Sequence, residues 1–233
     1  MIKIPGEATE YILYQRTGYF GSQVLGRFIT YMGYIPPFYK LSISLKARFF
    51  PKEIKKEFRK EIVKEFDTFK RFLPKKADSI LDIGCGVAAF EVLIDKYYNG
   101  KVSIFLLDKT HVDENVYYHF HNKGSYYNSL SVAKQLLKLN GVDESRIFTQ
   151  EATKDNKISF QYEFDAIISI TSWGFHYPVS TYLDAAHSKL KKNGVLILDV
   201  RKNTQGEEKI REKFGNCRTI LDTKKFVRVV AFK

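Results

Sequence analysis

The sequence predicts an α/β protein: a mostly parallel sheet closed by a terminal antiparallel hairpin and preceded by an all-helical segment. Three observations carry this. From Asp78 onward, short apolar runs alternate with helical segments, the rhythm of successive βα units around a buried sheet. The last two β-rich runs, Cys217 to Leu221 and Phe226 to Phe232, are joined by a short polar turn and pair best as a hairpin. Before Asp78, apolar residues recur every three or four positions instead. At 233 residues and 44% hydrophobic content, the chain can bury a sizeable core.

The elements follow in order. Glu7 to Tyr14 and Ser22 to Tyr31 are expected as short helices, separated by Gly18 and Gly21 and closed by the Pro36-Pro37 breaker. Ile54, Phe58, Ile62, Phe66, Phe69 and Leu73 make one apolar stripe on a long helix that starts near Pro51 and ends at Pro74. Residues 1–77 thus read as an N-terminal helical cap and 78–233 as the α/β domain. Strands are expected at Ser79 to Ile83, Val102 to Leu107, Arg146 to Gln150, Asp165 to Ile170 and Gly194 to Val200. Helices fill the gaps at Ala88 to Tyr97, Ser131 to Leu139 and Tyr182 to Leu190, the last two stopped by Asn140-Gly141 and Asn193-Gly194.

The formal charge of +12 implies attraction to something anionic, whether nucleic acid, an acidic substrate or a membrane surface. The excess is regional: Lys46 to Lys76 holds 12 Lys or Arg against 5 Asp or Glu. The Glu residues interleaved there favour a solvated helix face with i to i+4 pairs. No apolar stretch approaches the roughly 18 to 20 residues that span a bilayer, and no basic start precedes an apolar run. Cys85 and Cys217 lack metal-type spacing and form no disulfide framework, so a reducing, cytoplasmic home is expected.

"SILDIGCGVAAFEVL" places Gly84 and Gly86 between a strand and a helix, where the chain must turn tightly and a ligand must lie against backbone. Gly84-x-Gly86-x-x-Ala89 satisfies the dinucleotide fingerprint, and Asp108 stands at the end of the second strand, placed to accept ribose hydroxyls. These residues indicate an adenosine-containing cofactor, with a nicotinamide enzyme as one alternative. Asp82, the Cys85 between the glycines and the closing hairpin distinguish a second. With them the sequence resembles the class I S-adenosylmethionine-dependent methyltransferases, whose first motif has the form Asp-x-Gly-x-Gly. The resemblance spans roughly residues 78–233 and implies a Rossmann-like seven-stranded sheet. It implies S-adenosyl-L-methionine as cofactor, its methionine part held by Asp82 and the loop Gly84, Cys85, Gly86. Asp108 is then the ribose ligand, and Glu151, after the third strand, lies near the adenine. Ser169, at the end of the fourth strand, completes the expected cofactor set.

After that strand comes "TSWGFHYP". In an open α/β sheet ligands lie beyond the carboxyl ends of the strands, so this stretch is expected beside the transferable methyl group. It lacks the (Asp/Asn)-Pro-Pro-(Tyr/Phe) motif of enzymes that methylate base amino groups, and it lacks the carboxylate that metal-dependent catechol-type enzymes place there. His176 has an ordinary pKa near 6.5 and is the candidate general base for a hydroxyl acceptor. Trp173, Phe175 and Tyr177 are expected as pocket walls, and Arg201 suits an acidic or phosphorylated group on the acceptor. Tyr11, Tyr14, Arg16, Tyr19 and Phe20 read either as helix-to-core packing or, as the resemblance implies, as part of a lid over the acceptor, with Tyr14 and Tyr19 as its substrate contacts.

Other clusters carry less. His111, His119 and His121 with Asp113 and Glu114 have metal-ligating chemistry but read better as a surface insertion packed by Tyr117, Tyr118 and Phe120, so no metal is assigned. Asn128 or Ser129 caps the following helix, and Tyr126 to Ser129 can approach the adenine. "SWGFHYP…TYL" further resembles sugar or polysaccharide O-methyltransferases. The expected activity is therefore methyl transfer to the hydroxyl of a small or saccharide-type acceptor. RNA methylation and a non-catalytic cofactor-binding protein are the alternatives.

Overall fold

A computed structural model describes residues 1–16, 19, 36–113, 120 and 127–233. The expected helix from Ser22 to Tyr31 lies outside the described residues, as do Gly18, Phe20, Gly21, Glu114, Tyr117, Tyr118, His119, His121 and Tyr126. Three helices precede the sheet: α1 (Ala8–Gln15), α2 (Pro36–Phe49) and α3 (Pro51–Phe69). The Pro36-Pro37 pair opens α2 rather than breaking the chain, because a helix's first residues have no intrahelical N–H bond to lose. α3 buries Ile54, Phe58, Ile62, Phe66 and Phe69 as the stripe predicted, then ends in a 3₁₀ turn at Lys70–Phe72.

Seven strands make the main sheet: β1 (Ser79–Ile83), β2 (Ser103–Asp108), β5 (Ile147–Glu151), β6 (Phe164–Ser169), β8 (Leu190–Arg201), β9 (Asn216–Asp222) and β10 (Phe226–Phe232). Their spatial order is β5-β2-β1-β6-β8-β10-β9. All neighbours are parallel except β10, which runs against both β8 and β9. Helices α4 (Ala89–Tyr97), α5 (Leu130–Leu139), α6 (Leu183–Lys189) and α7 (Gly206–Phe214) flank it, and β3 (His111–Val112) pairs with β4 (Tyr127–Asn128) outside it. The order reverses at β1, with β2 on one side and β6 on the other, which opens a crevice at their carboxyl ends.

Period-two alternation divides the core. Ile80, Ile104, Leu106 and Ile168 face one layer, and Leu81, Phe105, Leu107 and Ile167 face the other. The first layer also contains the buried faces of α1, α2 and α3, so the N-terminal helices and the sheet share one hydrophobic core. Arg16 adds a polar tie, donating to Glu61 and Glu65 of α3 at 2.8 Å each.

Several elements are absent from the sequence reading, among them α2, β3, β4, α7 and the strand that follows β6. α7 buries little besides Ile210 in a polar nine-residue segment, which leaves no apolar stripe to detect. The aromatic stretch itself is extended, as β7 (Ser172–Tyr177) beside β8.

Candidate cofactor and active site

β1 ends in the glycine loop, and backbone geometry there requires glycine. Gly84 has φ +79°, and a Cβ on it would lie 1.8 Å from Ser172 Oγ. Gly86 has φ +54°, and its Cβ would come 2.7 Å from Gln15 Oε1. Both sites are closed to L side chains by backbone torsion as well as by space. Ala88 also lies in the left-handed region, at φ 59°, without glycine's freedom.

Above this loop lies an open cleft of about 780 Å³, a volume that includes solvent at its mouth. Asp82, the glycine loop and Asp108 form its floor; Tyr127 and Asn128 close one side; Thr171, Ser172, His176 and Tyr177 form another. Gln15 and Arg16 of α1, with Phe58 and Ile62 of α3, cover it from the N-terminal helices.

Asp108 is held by three donors: Lys109 N–H on Oδ1 at 2.7 Å, and Gly86 N–H and the Asn128 Nδ2 amide on Oδ2 at 2.8 Å each. Burial pushes its pKa up from 3.8 to about 6, against those hydrogen bonds, which favour the ionised form. Asn128 Nδ2 also donates to Gly86 O at 2.7 Å, and its Oδ1 accepts from Gln15 Nε2 at 3.4 Å. One carboxamide thereby links the loop, the carboxylate and the N-terminal helix. Sequence reasoning treated Asn128 as a possible helix cap within a stretch that can approach the adenine; the cap is Ser129, whose Oγ accepts from Val132 N–H. Its real partners are distant in sequence.

Asp82 and Glu91 are buried against each other. Desolvation, then the facing Glu91 charge, holds Asp82 well above the usual carboxylate range, and burial raises Glu91 too. Among the described residues, Asp82 Oδ1 and both Glu91 oxygens have no hydrogen-bond partner. Asp82 lines the cavity and Glu91 does not, so it is the Asp82 carboxyl that fits the positively charged end of an amino-acid moiety. Cys85, buried beside them, has its thiol pKa pushed up by desolvation and is no nucleophile.

The aromatic stretch divides. His176 and Tyr177 line the cavity. Trp173 does not: it is fully buried in the core with Nε1–H donating to Val179 O at 2.8 Å, because an indole is too large to leave the core beneath β7 unfilled. Phe175 also lies away from the cavity, with Arg201 stacked on its ring at 4.4 Å and Arg201 Nε donating to its carbonyl at 2.8 Å. Arg201 is thus engaged with β7 and does not line the cavity. No hydrogen bond from the described residues reaches His176, and burial, followed by the Arg201 charge, lowers its pKa from 6.5 to about 4. It is neutral at pH 7.

Four other expected site residues lie behind or beside the cavity. Ser169 is buried, its Oγ donating to Ile83 O at 2.6 Å and accepting from Trp173 N at 3.0 Å, so it ties β1, β6 and β7 together. Glu151 sits opposite Asp108 in register and accepts from Thr110 N–H at 2.8 Å. Tyr14 packs edge-on to Tyr39, and Tyr19 donates its hydroxyl to Glu61. Asp199, near the end of β8, pairs with Arg228 in the core. Thr171, at φ 53° a strained position for a β-branched residue, gives its N–H to Asp199 Oδ2 at 3.1 Å. His111 Nε2 lies 3.5 Å from Asp113 Oδ1 on the surface.

The methyltransferase-domain family model matches residues 53–226. Among solved structures, a methyltransferase from Pyrococcus furiosus aligns with a TM-score of 0.50 at 17% identity, over 74% of this chain and 82% of that one. A T. thermophilus 16S rRNA methyltransferase, solved with AdoMet and guanosine, aligns with a TM-score of 0.52 at 15% identity over 72% of this chain. This chain spans only 41% of that structure's length. StiE O-MT aligns with a TM-score of 0.51 at 15% identity, covering 76% and 60%. No curated protein matches by sequence. With the family model covering most of the chain, and a glycine loop, Asp82 and Asp108 around one cavity, the protein belongs to the methyltransferase-domain family and is an S-adenosylmethionine-dependent methyltransferase.

Proposed function

We propose that the enzyme methylates a hydroxyl group of a small or saccharide-type acceptor, with His176 as general base and residues 1–77 acting as a cap over the site. The single observation behind this is His176 itself: a neutral imidazole in the cavity wall, without a hydrogen-bond partner among the described residues, on the strand segment that follows β6.

In this reading the bound cofactor supplies an electrophilic methyl group. Asp108 accepts the ribose hydroxyls, and Asp82 with the Gly84–Gly86 loop holds the methionine part. Glu151 and Ser169 act indirectly, by fixing the strand ends. An acceptor hydroxyl gives up its proton to His176 as its oxygen attacks, so charge does not build up in a poorly solvated site. In-line alignment of acceptor and methyl group supplies the rest of the rate. Tyr177 forms one acceptor wall, and Trp173 and Phe175 support it from behind. Arg201 orders β7 through Phe175. Tyr14 and Tyr19 hold the cap in place from its rear.

The test is methyl transfer from labelled cofactor to a panel of hydroxylated acceptors, with S-adenosylhomocysteine affinity measured in parallel. His176→Ala is expected to keep that affinity and lose about a hundredfold or more in rate. Unchanged turnover would remove His176 as the base. The charge of +12 favours RNA as a second acceptor class. RNA binding that weakens steeply with salt, together with methyl transfer to RNA, would move the assignment there.

A further inference from the structure

We propose that the outward face of α2 docks the enzyme on an anionic lipid membrane. One side of α2 buries Tyr39, Ile43 and Ala47 in the shared core. The opposite side leaves Phe38, Leu41, Leu45 and Phe49 exposed at 55%, 56%, 47% and 67%. Steps of three, four and four residues put these four side chains in one stripe along the helix. Phe50, at the corner before α3 and 50% exposed, prolongs it. Five large apolar side chains in one exposed patch mark a contact surface rather than ordinary scatter.

Charge selects the partner. No Asp or Glu occurs from Tyr11 to Lys52, a stretch that carries six Lys and Arg. Lys46 and Arg48 of α2 fall on either side of the stripe at helical spacing. Lys46 lies over the Phe50 ring at 6.0 Å, so cation and apolar surface are interleaved. A helix with an apolar stripe and cationic edges rests in the headgroup region, apolar side toward the acyl chains and cations on lipid phosphates. Among the described residues no helix is long and apolar enough to cross a membrane, so the helix lies on the surface.

Other occupants fit less well. Single-stranded RNA is held by stacking on aromatic rings, whereas Leu41 and Leu45 occupy the centre of this stripe. A second copy packed face to face would bring two cationic edges together. The docking face is also joined to the site: Tyr39 of α2 packs edge-on to Tyr14 at 6.0 Å, and the next residue, Gln15, lines the cavity.

This inference is independent of the acceptor and is tested without turnover. The full-length protein is floated with phosphatidylcholine vesicles with and without phosphatidylglycerol, at low and high salt. Binding only to the anionic vesicles, reduced by salt, is expected. Leu45→Glu/Phe49→Glu and Lys46→Glu/Arg48→Glu should each weaken it by about tenfold or more. Unchanged S-adenosylhomocysteine affinity and melting temperature show that these surface variants are folded. Absence of vesicle binding overturns the proposal, as does binding that both variants retain. A dimer in sedimentation that Leu45→Glu/Phe49→Glu abolishes, or RNA binding lost in the same variants without vesicle binding, assigns the face to another partner and equally overturns it.

Discussion

The Asn128 side-chain amide donates to Asp108 Oδ2 at 2.8 Å and to Gly86 O at 2.7 Å, so one nitrogen joins the carboxylate at the end of β2 to the glycine loop after β1. Hydrogen bonds to a charged group contribute roughly 1.5 to 3 kcal/mol. Asn128→Ala is therefore expected to weaken S-adenosylhomocysteine binding by about tenfold or more, with Asp108→Ala costing more still. Isothermal titration calorimetry measures both. An Asn128 variant that binds as tightly as the parent would remove this residue from the cofactor site.

Cofactor affinity should depend on pH through Asp108 rather than His176. The carboxyl titrates near 6 in the folded protein, and in the proposed role as ribose ligand it accepts hydroxyls more strongly when ionised. Affinity is expected to rise as pH increases through about 6 and to fall by about tenfold per unit below it. His176, with a pKa near 4, is already neutral throughout that window and adds no limb there. The sign for stability is opposite. Asp108 carries a raised folded pKa, so its contribution favours the fold at low pH and is lost as pH rises from 3.8 to about 6. Titrations of Asp108→Asn should show a flat affinity profile across the same range.

Arg228 and Asp199 form a bidentate pair, Nε to Oδ1 at 2.6 Å and Nη2 to Oδ2 at 2.8 Å, with side chains 1% and 0% exposed. Arg228 reaches on to Thr68 Oγ1 at 2.6 Å, while Asp199 accepts the N–H of Thr171 in the cavity wall. Arg228→Ala strands a buried carboxylate and is expected to destabilise the protein by about 3 to 5 kcal/mol. Denaturant unfolding reads that loss. Replacing both partners with apolar residues of similar volume should cost less, since no uncompensated charge remains.

The Asp82–Glu91 pair gives two separable effects. Both carboxyls sit above their ordinary values of 3.8 and 4.5, so the folded protein binds more protons than the unfolded chain and stability declines as pH rises beyond that range. Glu91→Gln, whose amide can donate to Asp82, is expected to raise stability at neutral pH by on the order of 1 kcal/mol and to flatten that decline. Asp82→Asn should weaken S-adenosylhomocysteine but leave methylthioadenosine, which lacks the amino-acid portion, nearly unchanged. Equal losses for both ligands would place Asp82 outside the amino-acid subsite.

The βα rhythm, the terminal hairpin, the glycine loop and Asp108 were legible in the sequence because each depends on local pattern. Alternation, turn residues and a required positive φ act over a few positions and leave their mark there. The α3 stripe was legible for the same reason. What the tertiary structure decided were relationships between distant segments. Asn128 and Gln15 meet the loop only because α1 and β4 fold onto it. Trp173 and His176 stand three residues apart on one extended strand, yet the core takes the first and the cavity the second, a division set by what packs behind β7. Asp199 and Arg201 are similar strand-end polar residues in sequence, but one is claimed by Arg228 in the core and the other by the Phe175 ring. Buried charge must find a partner, and which partner is available depends on the packing of the whole chain.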